Sequence, residues 1–222
     1  MKKSALLSVF MIVFVDLLSF SLILPLMPYI AASYGLNPFF VGLLLATYPI
    51  GQVFGTPILG RLSDRYGRKP ILLISVAGTF VALITLGLTL LLNPAGAIII
   101  IFATRLFDGL TGGNITVAQS YISDVTTPEN RAKGLGLIGA AFGLGFIFGP
   151  AIGGFTSQWG YYVPALMASV LSFTNLILIT FILQESLSKE TRAQMKHSDK
   201  TKFSLKLLKD ALDKPVVGPL LH

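Results

Sequence analysis

Three ionisable side chains interrupt runs that are otherwise apolar for roughly twenty residues or more: Asp16, Arg105 and Asp108. A charge at mid-bilayer costs about 2.5–3.5 kcal/mol, so such groups face a partner or a cavity and mark ion or substrate pathways. A carboxyl group there is suited to one chemistry, the reversible binding of a proton, and a nearby guanidinium tunes it. At about 1.5 Å per residue, Asp16 lies about 15 Å from the start of its run and Arg105 about 12–15 Å from the start of its own. Runs of opposite direction bring the two to one depth. Asp16 is therefore read as a proton carrier whose affinity depends on whether Arg105 is close, with Asp108 as the third member. A static buried pair of Arg105 with Asp16 or Asp108 is the other reading of the same residues.

Around Arg105 the residue types continue the theme. At about 100° per residue, Arg105, Asp108, Gly109, Gly112, Thr116 and Gln119 fall on one helix face, with Asn114 on the opposite one. Tyr48, Gln52 and Gly55 form a shorter stripe of the same kind. These faces predict a cavity, with Tyr48, Gln52, Thr116 and Gln119 as candidate substrate contacts. A second constellation is Gly60-Arg61-Leu62-Ser63-Asp64-Arg65-Tyr66-Gly67-Arg68-Lys69. Gly60 and Gly67 allow close helix approach and a tight turn. Asp64 suits a positive helix N-terminus or an arginine. The planar fork of Arg68 can hold a second carboxylate, for which Asp124 is the candidate.

The elements that must position these residues are apolar. The chain has 222 residues, 53% hydrophobic and 12% charged, about half the usual share of charge. This excludes an ordinary soluble enzyme and a disordered chain. Hydrophobic runs at 4–30, 39–60, 71–92, 95–121, 132–157 and 161–183 are each long enough to span, with tight turns expected at Asn93-Pro94 and at 158–160. The first run exceeds a signal-peptide core and carries Asp16, so it is read as a retained span. All basic residues but Arg105 lie before span one, between spans two and three, between four and five, or after six. That bias places the N-terminus and residues 185–222 in the cytoplasm and accounts for the net charge of +7 without nucleic acid. The chain divides into a six-helix domain, 1–184, and a basic linker, 185–222. Within the linker Leu205, Leu208 and Leu212 recur among lysines as a short amphipathic helix or, equally, a solvated stretch, and 216–221 resemble the start of a seventh span.

An internal echo joins the two halves of the domain. Span two carries Gly51-x-x-x-Gly55-Thr56-Pro57-x-x-Gly60, and span five carries Gly145-x-x-x-Gly149-Pro150-x-x-Gly153-Gly154. Each is the middle span of three, which predicts a three-plus-three inverted repeat.

The Gly60–Lys69 stretch resembles the signature loop of the major facilitator superfamily, G-x-L-[SA]-D-[RK]-x-G-R-[RK], at every specified position. Arg105-x-x-x-Gly109 resembles its intramembrane arginine motif, and Gly145, Gly149, Pro150, Gly153 and Gly154 resemble its antiporter motif. Asp16 followed by Pro25-x-x-Pro28 is similar to twelve-span proton-coupled drug exporters, of the tetracycline-efflux and multidrug group. The resemblance implies an all-α membrane protein, a six-transmembrane-helix bundle forming the N-terminal half of the fold. It implies a cytoplasmic gate built on Gly60, Asp64, Arg65, Gly67, Arg68 and Asp124. One departure is that span three has no charge, with Ala82 about where tetracycline exporters carry an acid; this argues against tetracycline itself.

The function expected is secondary active transport, efflux of small amphipathic compounds coupled to protons, in the plasma or inner membrane. No cofactor is expected beyond the proton as coupling ion. The expected partners are the small-molecule substrate, membrane lipid, and a second six-helix half from the C-terminal side, a second copy or a related chain. A superfamily importer or uniporter is the alternative within transport; a truncated, non-transporting partner of a full-length relative is the alternative outside it. Nothing points to an enzyme: the chain has no cysteine, His197 and His222 lie in the tail, and there is no nucleotide-binding loop or metal-ligand spacing.

Overall fold

The computed structural model describes residues 3–187. The expected amphipathic helix and seventh-span start lie outside the described residues. Among these, six helical segments are long and apolar enough to cross a membrane: Leu6–Ser33, Pro38–Tyr66, Arg68–Leu92, Ala97–Val125, Pro128–Trp159 and Tyr162–Phe181.

Span one is α1 (Lys3–Ile23) and α2 (Met27–Ser33), joined by a 3-10 turn at Leu24–Leu26. Pro25 and Pro28 cause the turn, since each lacks an N–H for the helical ladder. Span two is α3 (Pro38–Tyr66), started by Pro38 in its first turn and by Asn37, whose Oδ1 accepts from the Phe40 N–H at 3.1 Å. Span three is α4 (Arg68–Leu92), ended by Asn93 in the left-handed region. Span four is broken into α5 (Ala97–Thr111) and α6 (Asn114–Val125). Span five is α7 (Pro128–Thr156) followed by a 3-10 turn, and span six is α8 (Tyr162–Phe181).

Sequence and structure differ most between spans two and three. The expected loop after Gly60 is helical: α3 continues through Asp64 to Tyr66, and α4 begins at Arg68. Gly67 alone joins them, at φ +110°, where an L side chain is strained.

Span one packs on spans five and six, span two on span four, span three on spans four and six. Exchanging the first three spans for the last three maps this set onto itself. The glycine echo lies on the corresponding seams. A Cβ at Gly51 would lie 2.6 Å from the Leu106 carbonyl oxygen on span four, and one at Gly145 3.1 Å from Leu17 on span one. Gly55 and Gly109 close the first seam, Gly149 and Gly153 the second. Gly60 and Gly154, expected in the same role, point into open space.

The interior is two apolar clusters. One, containing Val9, Val13, Leu72, Val117 and Ile122, fills the end bearing Gly67. The other, containing Leu22, Ile30, Leu86 and Ile101, fills the opposite end. Span four passes between them at 101–117, the interval that holds Arg105 and Asp108, whereas Asp16 sits on span one within the first cluster, between Val13 and Leu17.

Candidate functional site

The intramembrane charges sort into two groups. Arg105 is buried and its Nη1 lies 3.3 Å from Asp108 Oδ2, one turn along the same helix. Its Nε and Nη2 are buried without a hydrogen-bond partner among the described residues. Asp16 is bound instead by Asn114, whose Nδ2 donates to Asp16 Oδ2 at 2.6 Å. Of the two pairings left open above, this conformation has Arg105 with Asp108.

Asn114 is a correction. Helical periodicity put it opposite the Arg105 face, but the helix stops between Thr111 and Asn114, so the 100° rule does not carry across. The break is held from both sides. Gln52 Nε2 on span two donates to the Gly112 carbonyl at 3.2 Å and lies 3.4 Å from the Tyr48 hydroxyl. Ser75 on span three donates to the Thr111 carbonyl. Irregular backbone at membrane depth needs such partners. Tyr48 packs its ring 4.9 Å from that of Phe20 on span one.

The break also separates the predicted stripe. Thr116 and Gln119 do not join Arg105. They line a polar cavity of about 470 Å³ towards the Gly67 end, with Ser120, Ser123, Asp124 and Arg68.

At that end Arg68 is the organising side chain. It is buried, and its Nη1 donates to Asp64 Oδ1 at 2.6 Å and to Ser63 Oγ at 2.7 Å, while its Nε donates to Asp124 Oδ2 at 3.0 Å. Arg65 stands apart, its guanidinium 5.4 Å over the Tyr66 ring. Glu185, Ser186 and Thr180 carry no expectation from the sequence. Glu185, just beyond span six, accepts from the Arg68 backbone N–H at 2.9 Å and the Lys69 N–H at 3.2 Å, capping the positive N-terminus of α4. Ser186 donates to Asp124 at 2.9 Å, and Lys69 Nζ to the Thr180 carbonyl at 2.7 Å. The only sequence signal was an acid at the head of a basic tail.

Arg68→Ala is expected to destabilise the bundle by about 2–3 kcal/mol, less than a fully buried pair because Asp64 and Asp124 keep access to water. Arg68→Lys restores only part, since an ammonium cannot span two carboxylates. Thermal unfolding in detergent measures both. The chain has no cysteine, so Ser120→Cys reports on the polar cavity, and faster maleimide labelling is expected when Arg68 is removed.

The sequence model of the Major Facilitator Superfamily matches residues 9–221. The chain is 37% identical over 186 residues to the class B tetracycline resistance protein of Escherichia coli, covering 82% of this chain and 44% of that one. It is 33% identical over 202 residues to multidrug resistance protein 2 of Bacillus subtilis (strain 168), covering 90% and 49%. Among solved structures it is similar to the human organic anion transporter MFSD10 (TETRAN), with a TM-score of 0.71 and 25% identity over 86% of this chain and 49% of that chain. A D-xylose–proton symporter shares the fold, with a TM-score of 0.68 at 18% identity, over 98% of this chain and 54% of that chain. The chain spans about half the length of the curated relatives it matches.

Proposed function

As this chain belongs to the major facilitator superfamily, we propose that it acts as the N-terminal six-helix half of a secondary transporter that exports small amphipathic compounds in exchange for protons. The observation carrying this reading is the pairing of Asp16 with Asn114 at the break in span four, within the apolar cluster at the Gly67 end. A carboxylate at this depth is costly as an anion and cheap when protonated. Proton binding at Asp16 therefore changes which arrangement of spans one and four is stable, and alternating access follows if the two arrangements open to opposite sides. Arg105 and Asp108, on the same span, shift together with the break. The Arg68 network, with Asp64 and Asp124, acts as the latch at the cytoplasmic end.

Export rather than import is supported by the glycine–proline pattern at Gly145–Gly154 and by the names of the relatives. Buried Ala82, where an acid would distinguish tetracycline exporters, supports another amphipathic substrate. The second half docks on spans two and five, which expose Val53, Phe54 and Ile58, and Ile147, Phe148 and Phe155.

The test is dye transport in everted membrane vesicles from cells expressing the natural gene. With an acidic lumen, a fluorescent amphipathic cation is expected to accumulate, and collapsing the pH gradient with an ionophore to release it. Accumulation indifferent to the gradient would remove proton coupling from the proposal. Dye uptake into intact cells would reverse its direction.

A further inference from the structure

A groove runs between spans five and six at the end away from Gly67, and neither the motifs nor the proposed mechanism uses it. Its volume is about 540 Å³. Leu18 and Leu22 of span one form its floor, Ile152 of span five one wall, and Val163, Leu166 and Met167 of span six the other. The local sequence opens it. A 3-10 turn at Ser157–Trp159 and Gly160 at φ +115° join the two spans. Span six then seats closely on span three, where a Cβ at Gly87 would lie 2.6 Å from Leu166 Cδ2. Glycine at 87 therefore draws span six towards span three.

The walls set the class of occupant. Of the nine lining residues only Tyr162, at the start of span six, carries a strong hydrogen-bonding group. A buried water needs about two to four polar partners, and no residue from 134 to 184 is charged. Neither water nor an ion finds its partners here. Apolar walls gain dispersion instead from hydrocarbon packed against them. The shape is a slot. From Tyr162 to Val170 span six rises about 12 Å, most of the roughly 15 Å hydrocarbon depth of one leaflet. The slot opens to the side, because Val170 on its rim is 63% exposed and continues a stripe of exposed apolar residues, Phe173, Ile177 and Phe181. On a helix of membrane length such a stripe faces lipid. Tyr162, with Trp159 exposed just before it, is of the type that settles at the headgroup level.

We propose that this groove binds one acyl chain of a phospholipid from the leaflet away from Gly67, with the headgroup beside Trp159 and Tyr162. Lipid tails are as apolar as leucine, so burial in the groove gains nothing over the bilayer. The preference comes from packing against fixed walls on several sides. The chain is what the groove recognises. Spans five and six bring no charge to the headgroup end, so lipids that differ only in headgroup charge are expected to bind alike. The site does not depend on proton coupling or on the direction of transport.

Photolabelling of the natural gene product in phospholipid vesicles tests it. The probe is a phosphatidylcholine carrying a diazirine in the middle of one acyl chain, and labelled residues are mapped by peptide mass spectrometry. Label is expected on Leu18 and Leu22 as well as on Phe173 and Ile177. Leu22 is fully buried, so bulk lipid reaches the exposed stripe and only a chain inside the groove reaches the floor. Val163→Phe, which fills the groove with a ring, is expected to lower floor labelling several-fold and to leave the stripe unchanged. A phosphatidylglycerol probe should label the floor to the same extent. Label confined to the stripe in the wild type would overturn the site, whether the groove is closed or the second half covers it. Floor labelling unchanged in folded Val163→Phe would overturn it too. If Val163→Phe does not fold, Met167→Trp is read in its place, with the same two outcomes. Floor labelling that needs the anionic headgroup would overturn recognition through the chain. Dye transport is scored separately, so losing the lipid and losing proton coupling are distinct results.

Discussion

Asp16→Asn is expected to reduce gradient-driven efflux to background while the protein still inserts, folds and binds its substrate. The substitution is nearly isosteric, and the Oδ1 of an asparagine can still accept from Asn114 Nδ2, which lies 2.6 Å from the carboxylate in the native chain. The contact between spans one and four therefore survives, and only the ability to take up and release a proton is lost. A transporter without its proton site can still exchange labelled for unlabelled substrate, because exchange needs no net proton movement. The paired result expected is loss of pH-driven accumulation with exchange retained, measured in reconstituted vesicles from the natural gene product. Asp16→Glu keeps a titratable group one methylene out of place, so it should retain part of the activity. Full gradient-driven accumulation in Asp16→Asn would remove Asp16 from the coupling mechanism.

The sequence made the spans legible because each is a long apolar run, and the Arg68 network legible because its residues sit at fixed spacing next to a helix end. What escaped depended on chain geometry that no local pattern carries. The orientation of Asn114 follows from a two-residue interruption at Gly112 and Gly113, which resets the helical phase. The role of Glu185 depends on span six returning beside the start of span three, more than a hundred residues earlier in the chain. The glycines are a different case, since periodicity alone could have sorted them. Gly51 and Gly55 share a face, whereas Gly60, five residues on, is turned about 140° from Gly55. Gly154 is turned about 100° from Gly153.

That sorting makes the glycines the sharpest test of the packing. At Gly55 the first added carbon meets the backbone of Leu110, its carbonyl carbon at 2.6 Å and its Cα at 2.8 Å, with the carbonyl oxygen nearer still. Backbone cannot rotate aside as a side chain can, so spans two and four must separate. Overpacking a tight interior costs about 1–3 kcal/mol and occasionally more, and an obstacle made only of backbone places Gly55→Ala at or above about 3 kcal/mol. Gly149→Ala meets Ser21 on the symmetry-related seam, where the Ser21 hydroxyl donates to the Gly145 carbonyl at 2.7 Å. That hydroxyl can turn away only by giving up this bond, so the cost is expected to approach that of Gly55→Ala. At Gly60 and Gly154 a methyl group meets open space, and the helix gains up to about 1 kcal/mol from replacing glycine by alanine. Thermal unfolding of the four alanine variants in one detergent should therefore separate them into two destabilised and two neutral or stabilised proteins. Four equal midpoints would mean that the seams do not pack as described. Two low midpoints of similar size, one from each seam, would show in energy the same inverted repeat that the span pairing shows in space.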